Sequence, residues 1–164
     1  MRKYGLILIL FFLSGCLENQ SPEVIKGESM GTRYSVNVLG DKRVSQELID
    51  KRLVEINNIF STWQEDSELS QLNDAPVGKW VGVSSELYKI LNASAELYRQ
   101  TEGYFDPGIG RLIDLWGFGA KGGRTEAPKR EEISMAFAQS SIRYLIIEPG
   151  RVKKTKDIHI NLSA

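Results

Sequence analysis

Residues 103–119 read GYFDPGIGRLIDLWGFG, and they combine two characters that seldom occur together. Five glycines and Pro107 mark a turn-rich segment, yet Tyr104, Phe105, Leu112, Ile113, Leu115, Trp116 and Phe118 are bulky and apolar. Loops are ordinarily polar, and cores are ordinarily poor in glycine. The first half, GYFDPGIG, predicts a tight turn offering aromatics, free backbone amides and one acid, Asp106. The second half, RLIDLWGFG, predicts buried support for that turn.

Strand and helix patterns flank this run in an irregular order. Tyr34, Val36 and Val38 alternate with polar neighbours, the period-two pattern of a half-buried strand after a first strand in EVIKGES. From Val44 to about Ser61, apolar residues including Leu48, Ile49, Leu53, Ile56, Ile59 and Phe60 recur at threes and fours, which predicts an amphipathic helix. Asp66 or Ser67 is placed to cap a short helix reaching Leu72, and Ser84 to cap another from Ser85 to about Thr101. Gly103 then stands where a helix end wants a left-handed residue. A helix from about Arg130 to Gln139 and strands in RYLIIE, RVKKTK and IHINLS complete the pattern, with Pro149-Gly150 as a turn. Strands and helices without a regular βαβ alternation indicate an α+β fold of about one domain in 164 residues.

Charge and composition narrow the partners. The formal net charge is +0, and no basic cluster interleaved with aromatics is present, which argues against a nucleic-acid partner. The N-terminus, MRKYGLILILFFLSGC, has the basic start, short apolar run and small residues of a bacterial export signal. Its end, LSGC, matches a lipobox, so residues 1–15 read as a signal peptide and Cys16 as a lipidated N-terminus. Residues 16–22 then form a tether, and 23–164 the folded body. Several acyl chains give durable membrane anchoring where one is marginal. Cys16 is the single cysteine, so no disulfide can form within the chain.

Familiar catalytic constellations are missing. The one histidine, His159, reads as a polar-face residue of a strand rather than a base, and no phosphate-binding glycine loop of known spacing occurs. What stands out instead is SMGT at residues 29–32, FSTWQEDSELSQLN at 60–73, and GYFDPGIG. Aromatics and methionine can sandwich a flat ring, and bare amides can approach a phosphate. Spacing alone favours the plainer reading, in which Phe105, Leu112, Leu115 and Trp116 are core residues beneath a capped loop.

Taken together, MGTRYSV, FSTWQEDSELSQLN, GYFDPGIGRLIDLWGFG and the closing INLSA resemble the FAD:protein FMN transferases, the ApbE-like flavin transferases. The resemblance runs over nearly the whole body in the family's order and implies an ApbE-like, T-fold-related α+β domain. It implies a Mg²⁺-dependent enzyme that moves FMN from FAD onto a threonine hydroxyl of an exported target protein, such as a redox-pump flavoprotein subunit, and releases AMP. Some relatives instead hydrolyse FAD to FMN and AMP, and a non-catalytic flavin-binding or scaffold lipoprotein is the reading from another class. Carried over by motif, Met30 matches an FAD-contacting methionine, and Trp63 stands where many members have tyrosine. Tyr104, Phe105 and Asp106 match a stretch usually written AFD. Asp106 is expected to accept hydrogen bonds from the nucleotide, the alternative being a cap on the turn at Pro107. Asn161 replaces an FAD-binding aspartate, and Ala164 matches a residue whose carbonyl binds Mg²⁺. The chain ends before the family's IAKGY continuation, so the expectation is an N-terminal portion with an incomplete metal site and little activity alone. The lipid anchor with the resemblance implies a place on the periplasmic side of a membrane, the inner one by the family's habit, with the outer membrane left open.

Overall fold

The computed structural model describes residues 22–40, 43–120 and 122–162. Cys16 and Ala164, expected to carry lipid and metal, lie outside the described residues, as do the signal and most of the tether. Contacts divide the chain into two compact units, Met1–Asp50 and Lys51–Ala164. No helix among the described residues is long and apolar enough to cross a membrane.

The first unit contains an antiparallel hairpin, β1 (Glu23–Ser29) and β2 (Thr32–Val38), with Ser29 paired to Thr32. Met30 and Gly31 form the two-residue loop, and both have positive φ, 51° and 72°. A hairpin loop of that length needs this mirror-image conformation to match the twist of its strands. Gly27 faces Tyr34 across the pair, and a Cβ there would lie 2.4 Å from the Tyr34 hydroxyl. The ring therefore lies over bare backbone, and its hydroxyl donates to Asp50 at the start of the next helix. That helix, α1 (Gln46–Phe60), contains the boundary between the units.

The second unit is built on the sheet β3-β5-β4, antiparallel throughout: β3 (Trp80–Gly82), β5 (Arg151–Lys154) and β4 (Leu145–Glu148). Its other elements are α2 (Glu68–Asp74), α3 (Ser85–Gln100), α4 (Gly110–Leu115) and α5 (Arg130–Ala138). The core gathers Leu69 and Leu72 of α2, Leu87 and Leu91 of α3, Leu145 and Val152 of the sheet, and Ile142, Ile158 and Ile160 from irregular segments. Burial repeats along α3 at Leu87, Leu91 and Ser94, with Ala95 and Tyr98 packing beside them. That spacing keeps one helical face on the core.

Caps fix where these helices begin. The Ser67 hydroxyl accepts from Ser70 N at 3.0 Å, and the Ser84 hydroxyl from Leu87 N at 3.2 Å. Glu68 reaches back to accept from Ser84 N at 2.9 Å, so one cap is tied to the helix started by the other. At the end of α3, Glu102 and Gly103 take positive φ, and Gly103 N returns to Tyr98 O at 2.8 Å. The left-handed residue expected at Gly103 is present.

Three expectations need correction. The strand anticipated in IHINLS is, over its described residues 158–162, an extended segment with one parallel bridge, Ile109 to His159. Its backbone groups are taken by a side chain and a turn instead of a neighbouring strand, as described below. The strand expected over RYLIIE starts with a 3₁₀ turn at Ile142–Tyr144. Finally, RLIDLWGFG is not buried support. Leu112, Ile113 and Leu115 are half-buried, whereas Trp116 is 46% and Phe118 75% exposed. Residues 110–115 form a short helix whose apolar groups are too closely spaced for one face to bury them all.

Candidate functional site

The second unit holds a cavity of about 600 Å³. One wall is the loop between α1 and α2, with Thr62, Trp63 and Glu65, continued by Ser70, Asn73 and Asp74 of α2. The extended segment contributes His159, Ile160 and Asn161 to the lining, and α4 contributes Gly110 and Asp114. Trp63 and Asn161, far apart in sequence, thus line one space. The Trp63 side chain is largely exposed, leaving its ring face open to a flat partner.

A buried polar clamp shapes the extended wall. Asn73 Oδ1 accepts from Ile160 N, and Asn73 Nδ2 donates to Ile160 O, both at 2.8 Å. The carbonyl of Asn73 itself accepts from Lys154 Nζ, a side chain only 2% exposed. Burial lowers the Lys154 pKa, and Asp157, 3.5 Å away, opposes that shift. Burial would raise Asp157, but the Arg111 guanidinium outweighs it and holds the carboxyl below its usual value. Arg111 also donates to the Asp157 carbonyl at 3.0 Å, fixing the start of the wall to α4.

The glycine-rich turn braces the same wall from behind. Pro107 O accepts from Asn161 N at 2.9 Å, and Gly110 N donates to His159 O at 3.0 Å. A Cβ on Gly110 would lie 2.7 Å from that carbonyl, and one on Gly108 2.3 Å from Ile142 N. Bare backbone here lets chain approach chain. The turn's amides, expected to be free for a phosphate, are largely committed: those of Tyr104, Phe105, Gly108 and Gly110 all donate within the chain.

Asp106 carries out the capping alternative. Its Oδ1 accepts from Gly108 N and from Ile142 N, each at 2.8 Å, joining the turn to the 3₁₀ segment. Asp106→Ala is expected to lower the unfolding free energy by about 1–3 kcal/mol, since two partly buried donors lose their acceptor. Asp106→Asn keeps an acceptor oxygen and should retain most of the stability in urea unfolding. FAD titration of the Asn variant then reports any contact beyond the cap. Tyr104 is 97% exposed and Phe105 39%, and neither lines the cavity. Met30, at the exposed hairpin tip, belongs to the first unit.

His159 is not the polar-face strand residue the alternation implied. Its Nδ1 lies 3.1 Å from Asp114 Oδ2, and its side chain is mostly buried against the cavity. Burial lowers its pKa, the nearby Arg111 charge lowers it further, and Asp114 opposes both. Burial and the Arg111 charge thus favour the uncharged ring. Because the folded-state pKa is depressed, its contribution to stability is present above the ordinary value of 6.5 and is lost as pH falls through the lowered value.

Asn73, Asp114 and Lys154 were not singled out from the sequence. Asn73 had a signal: it shares an α2 face with Leu69 and Leu72, a polar residue at a core-facing position. Asp114 and Lys154 had none, because their partners lie far away in the chain. Among the described residues, no group of three or more His, Cys, Asp or Glu converges to hold a metal ion. The described part of the site therefore does not by itself fit Mg²⁺. The Thr62 hydroxyl on the cavity wall is buried without a hydrogen-bond partner among the described residues.

An α+β domain whose cavity lies between a capped loop and an extended wall is the class these features define. A family model described as the ApbE family matches residues 30–164, and the chain belongs to that family. It is 31% identical over 160 residues to an FAD:protein FMN transferase of Vibrio cholerae, covering 94% of this chain and 48% of the relative. A Haemophilus influenzae protein of the same description is 28% identical, with 98% of this chain and 50% of the relative covered. Among solved structures, the flavin transferase ApbE from Vibrio cholerae superposes with a TM-score of 0.82 at 29% identity, covering 88% of this chain and 48% of that one. The apo flavinyl transferase ApbE of Pseudomonas stutzeri gives 0.78 at 26% identity, over 87% and 47%. The chain spans about half the length of the curated relatives it matches.

Proposed function

We propose that this chain contributes an FAD-binding site to a flavin transferase that moves FMN from FAD to a threonine hydroxyl of an exported target protein. A redox-pump flavoprotein subunit is the proposed target. The observation that carries the reading is the meeting of Trp63 and Asn161 on one cavity of about 600 Å³. Both occupy positions that the family's motifs assign to FAD. The volume lies within the usual range for small-molecule sites. Trp63 supplies an aromatic face for a flat ring. Asn161 supplies a neutral amide where a carboxylate is usual, so it accepts and donates hydrogen bonds without adding charge.

In the proposed transfer the threonine oxygen forms a bond to the FMN-side phosphorus. The bond from that phosphorus to the bridging oxygen breaks, and AMP departs in line. Positioning supplies much of the acceleration in such displacements. Mg²⁺ dependence is proposed from the resemblance, and Mg²⁺ would supply charge neutralisation on the pyrophosphate when bound. Anchoring through Cys16 is proposed from the signal-like N-terminus, and the periplasmic side of the inner membrane from the resemblance, with the outer membrane as the alternative.

The first test is FAD titration followed by flavin fluorescence. Saturable binding is expected, weakened about tenfold by Trp63→Ala through lost stacking. Absence of saturable binding overturns the flavin reading. Incubation with FAD, Mg²⁺ and a threonine-bearing peptide then separates the reactions. Flavinylated peptide supports transfer, FMN and AMP without labelled peptide indicate diphosphatase activity, and binding without turnover indicates a flavin-binding component.

A further inference from the structure

We propose that this cavity takes an uncharged, hydroxyl- and amino-bearing part of the dinucleotide, with His159 as an acceptor oriented by Asp114, while the pyrophosphate lies outside it. The proposal rests on the flavin-nucleotide reading and adds which chemistry the cavity selects.

The lining carries three carboxylates, Glu65, Asp74 and Asp114, and no lysine or arginine among the described residues. A pyrophosphate brought into that space would face like charge in a partly desolvated setting, where repulsion is stronger than in water. Carboxylates accept hydrogen bonds and do not donate. The favoured occupant therefore presents donors: sugar hydroxyls, an exocyclic amine or a ring imide.

His159 adds to this set because of how it is held. Asp114 Oδ2 stands 3.1 Å from Nδ1, a placement that suits acceptance from Nδ1–H and leaves the lone pair of an uncharged ring on Nε2. Arg111 on the same helix, Lys154 from β5 and Asp157 on its own segment also face the ring, with Arg111 and Lys154 disfavouring its protonation. Gly119 leaves room for the carboxylate, since a Cβ there would lie 1.8 Å from Asp114 Oδ1. The backbone of His159 is itself pinned by Gly110 N. The residue is thus held at its backbone and at Nδ1.

His159 is the chain's one histidine, so its ring nitrogens give unambiguous ¹⁵N signals. The expected spectrum at neutral pH is that of the Nδ1–H tautomer, and Asp114→Asn should reduce its population. Adenosine or riboflavin, each tested without metal, should perturb the signal, and inorganic pyrophosphate should not. Whichever of the two competes with FAD identifies the half of the dinucleotide that enters. His159→Asn retains an amide near Asp114 but loses the Nε2 acceptor, and should weaken binding of that probe about tenfold. His159→Gln restores an acceptor at longer reach and should bind within about threefold of wild type.

A purely structural tie between α4 and the wall predicts the reverse order, with Asn the better replacement, and that result overturns the proposal. So does tighter binding of pyrophosphate than of either uncharged probe. If an uncharged probe binds through His159 while FAD does not bind, the flavin reading fails and the cavity chemistry stands. If neither uncharged probe binds while FAD does, the cavity chemistry fails and the flavin reading stands; if FAD does not bind either, both fail.

Discussion

Replacing Asn73 with alanine is expected to lower the unfolding free energy by about 3 kcal/mol, read as a fall in the urea midpoint at unchanged slope. The amide makes two hydrogen bonds to Ile160, a residue 1% exposed, and no other hydrogen bond among the described residues reaches those two backbone groups. Removing it strands one donor and one acceptor away from water, each costing roughly 1–3 kcal/mol. The extended wall has no neighbouring strand to take them over. Asn73→Asp separates this account from a simple packing loss. Its carboxylate still accepts from Ile160 N, but now sets a second oxygen against Ile160 O. Destabilisation is expected at neutral pH. Protonating that carboxyl restores a donor, so the deficit relative to wild type should shrink as pH falls. An Asp variant as stable as wild type at neutral pH would remove the clamp from the account.

Gly108→Ala is expected to have a comparable effect, about 3 kcal/mol or more, through overpacking. The new methyl would lie 2.3 Å from both Ile142 N and Ser141 C, and neither is a flexible side-chain end that can swing away. Relief requires moving the turn off the 3₁₀ segment, which stretches both hydrogen bonds of Asp106 Oδ1. The turn also holds Asn161 N through Pro107 O. The variant should therefore weaken FAD binding as well as stability. Gly150→Ala is the control: its φ of 77° strains a side chain, but a Cβ there meets nothing within 4 Å. A Gly108 variant no worse than the Gly150 one would mean that close approach is not what the glycine supplies.

Much of the fold was legible because its signals are local. The α3 stripe, the Ser67 and Ser84 caps and the left-handed Gly103 each depend on residues within a few positions. Periodicity and capping report such features directly. The same logic failed at IHINLS, where alternation is real but the partners are Asn73 and the 107–110 turn. It failed again at RLIDLWGFG, where apolar content alone could not tell a half-exposed helix from buried support.

The site divides in the same way. Motif resemblance located Trp63 and Asn161, and the structure gives them a common cavity. It could not separate the two roles open to Asp106, because a carboxylate before proline suits a cap and a ligand contact equally. Neither could it reveal the Asp114–His159 pair, whose members sit in unrelated segments.

Local physics in the sequence determined α1, α2, α3 and α5, the caps at Ser67 and Ser84, the left-handed Gly103 and membership in a recognisable motif order. Tertiary structure decided what the glycines are for. In GYFDPGIG, Gly108 and Gly110 let one backbone press against another, and the amides once expected to await a phosphate are bonded inside the chain. Bare backbone is written in the sequence, but what approaches it depends on segments that only folding brings within contact distance.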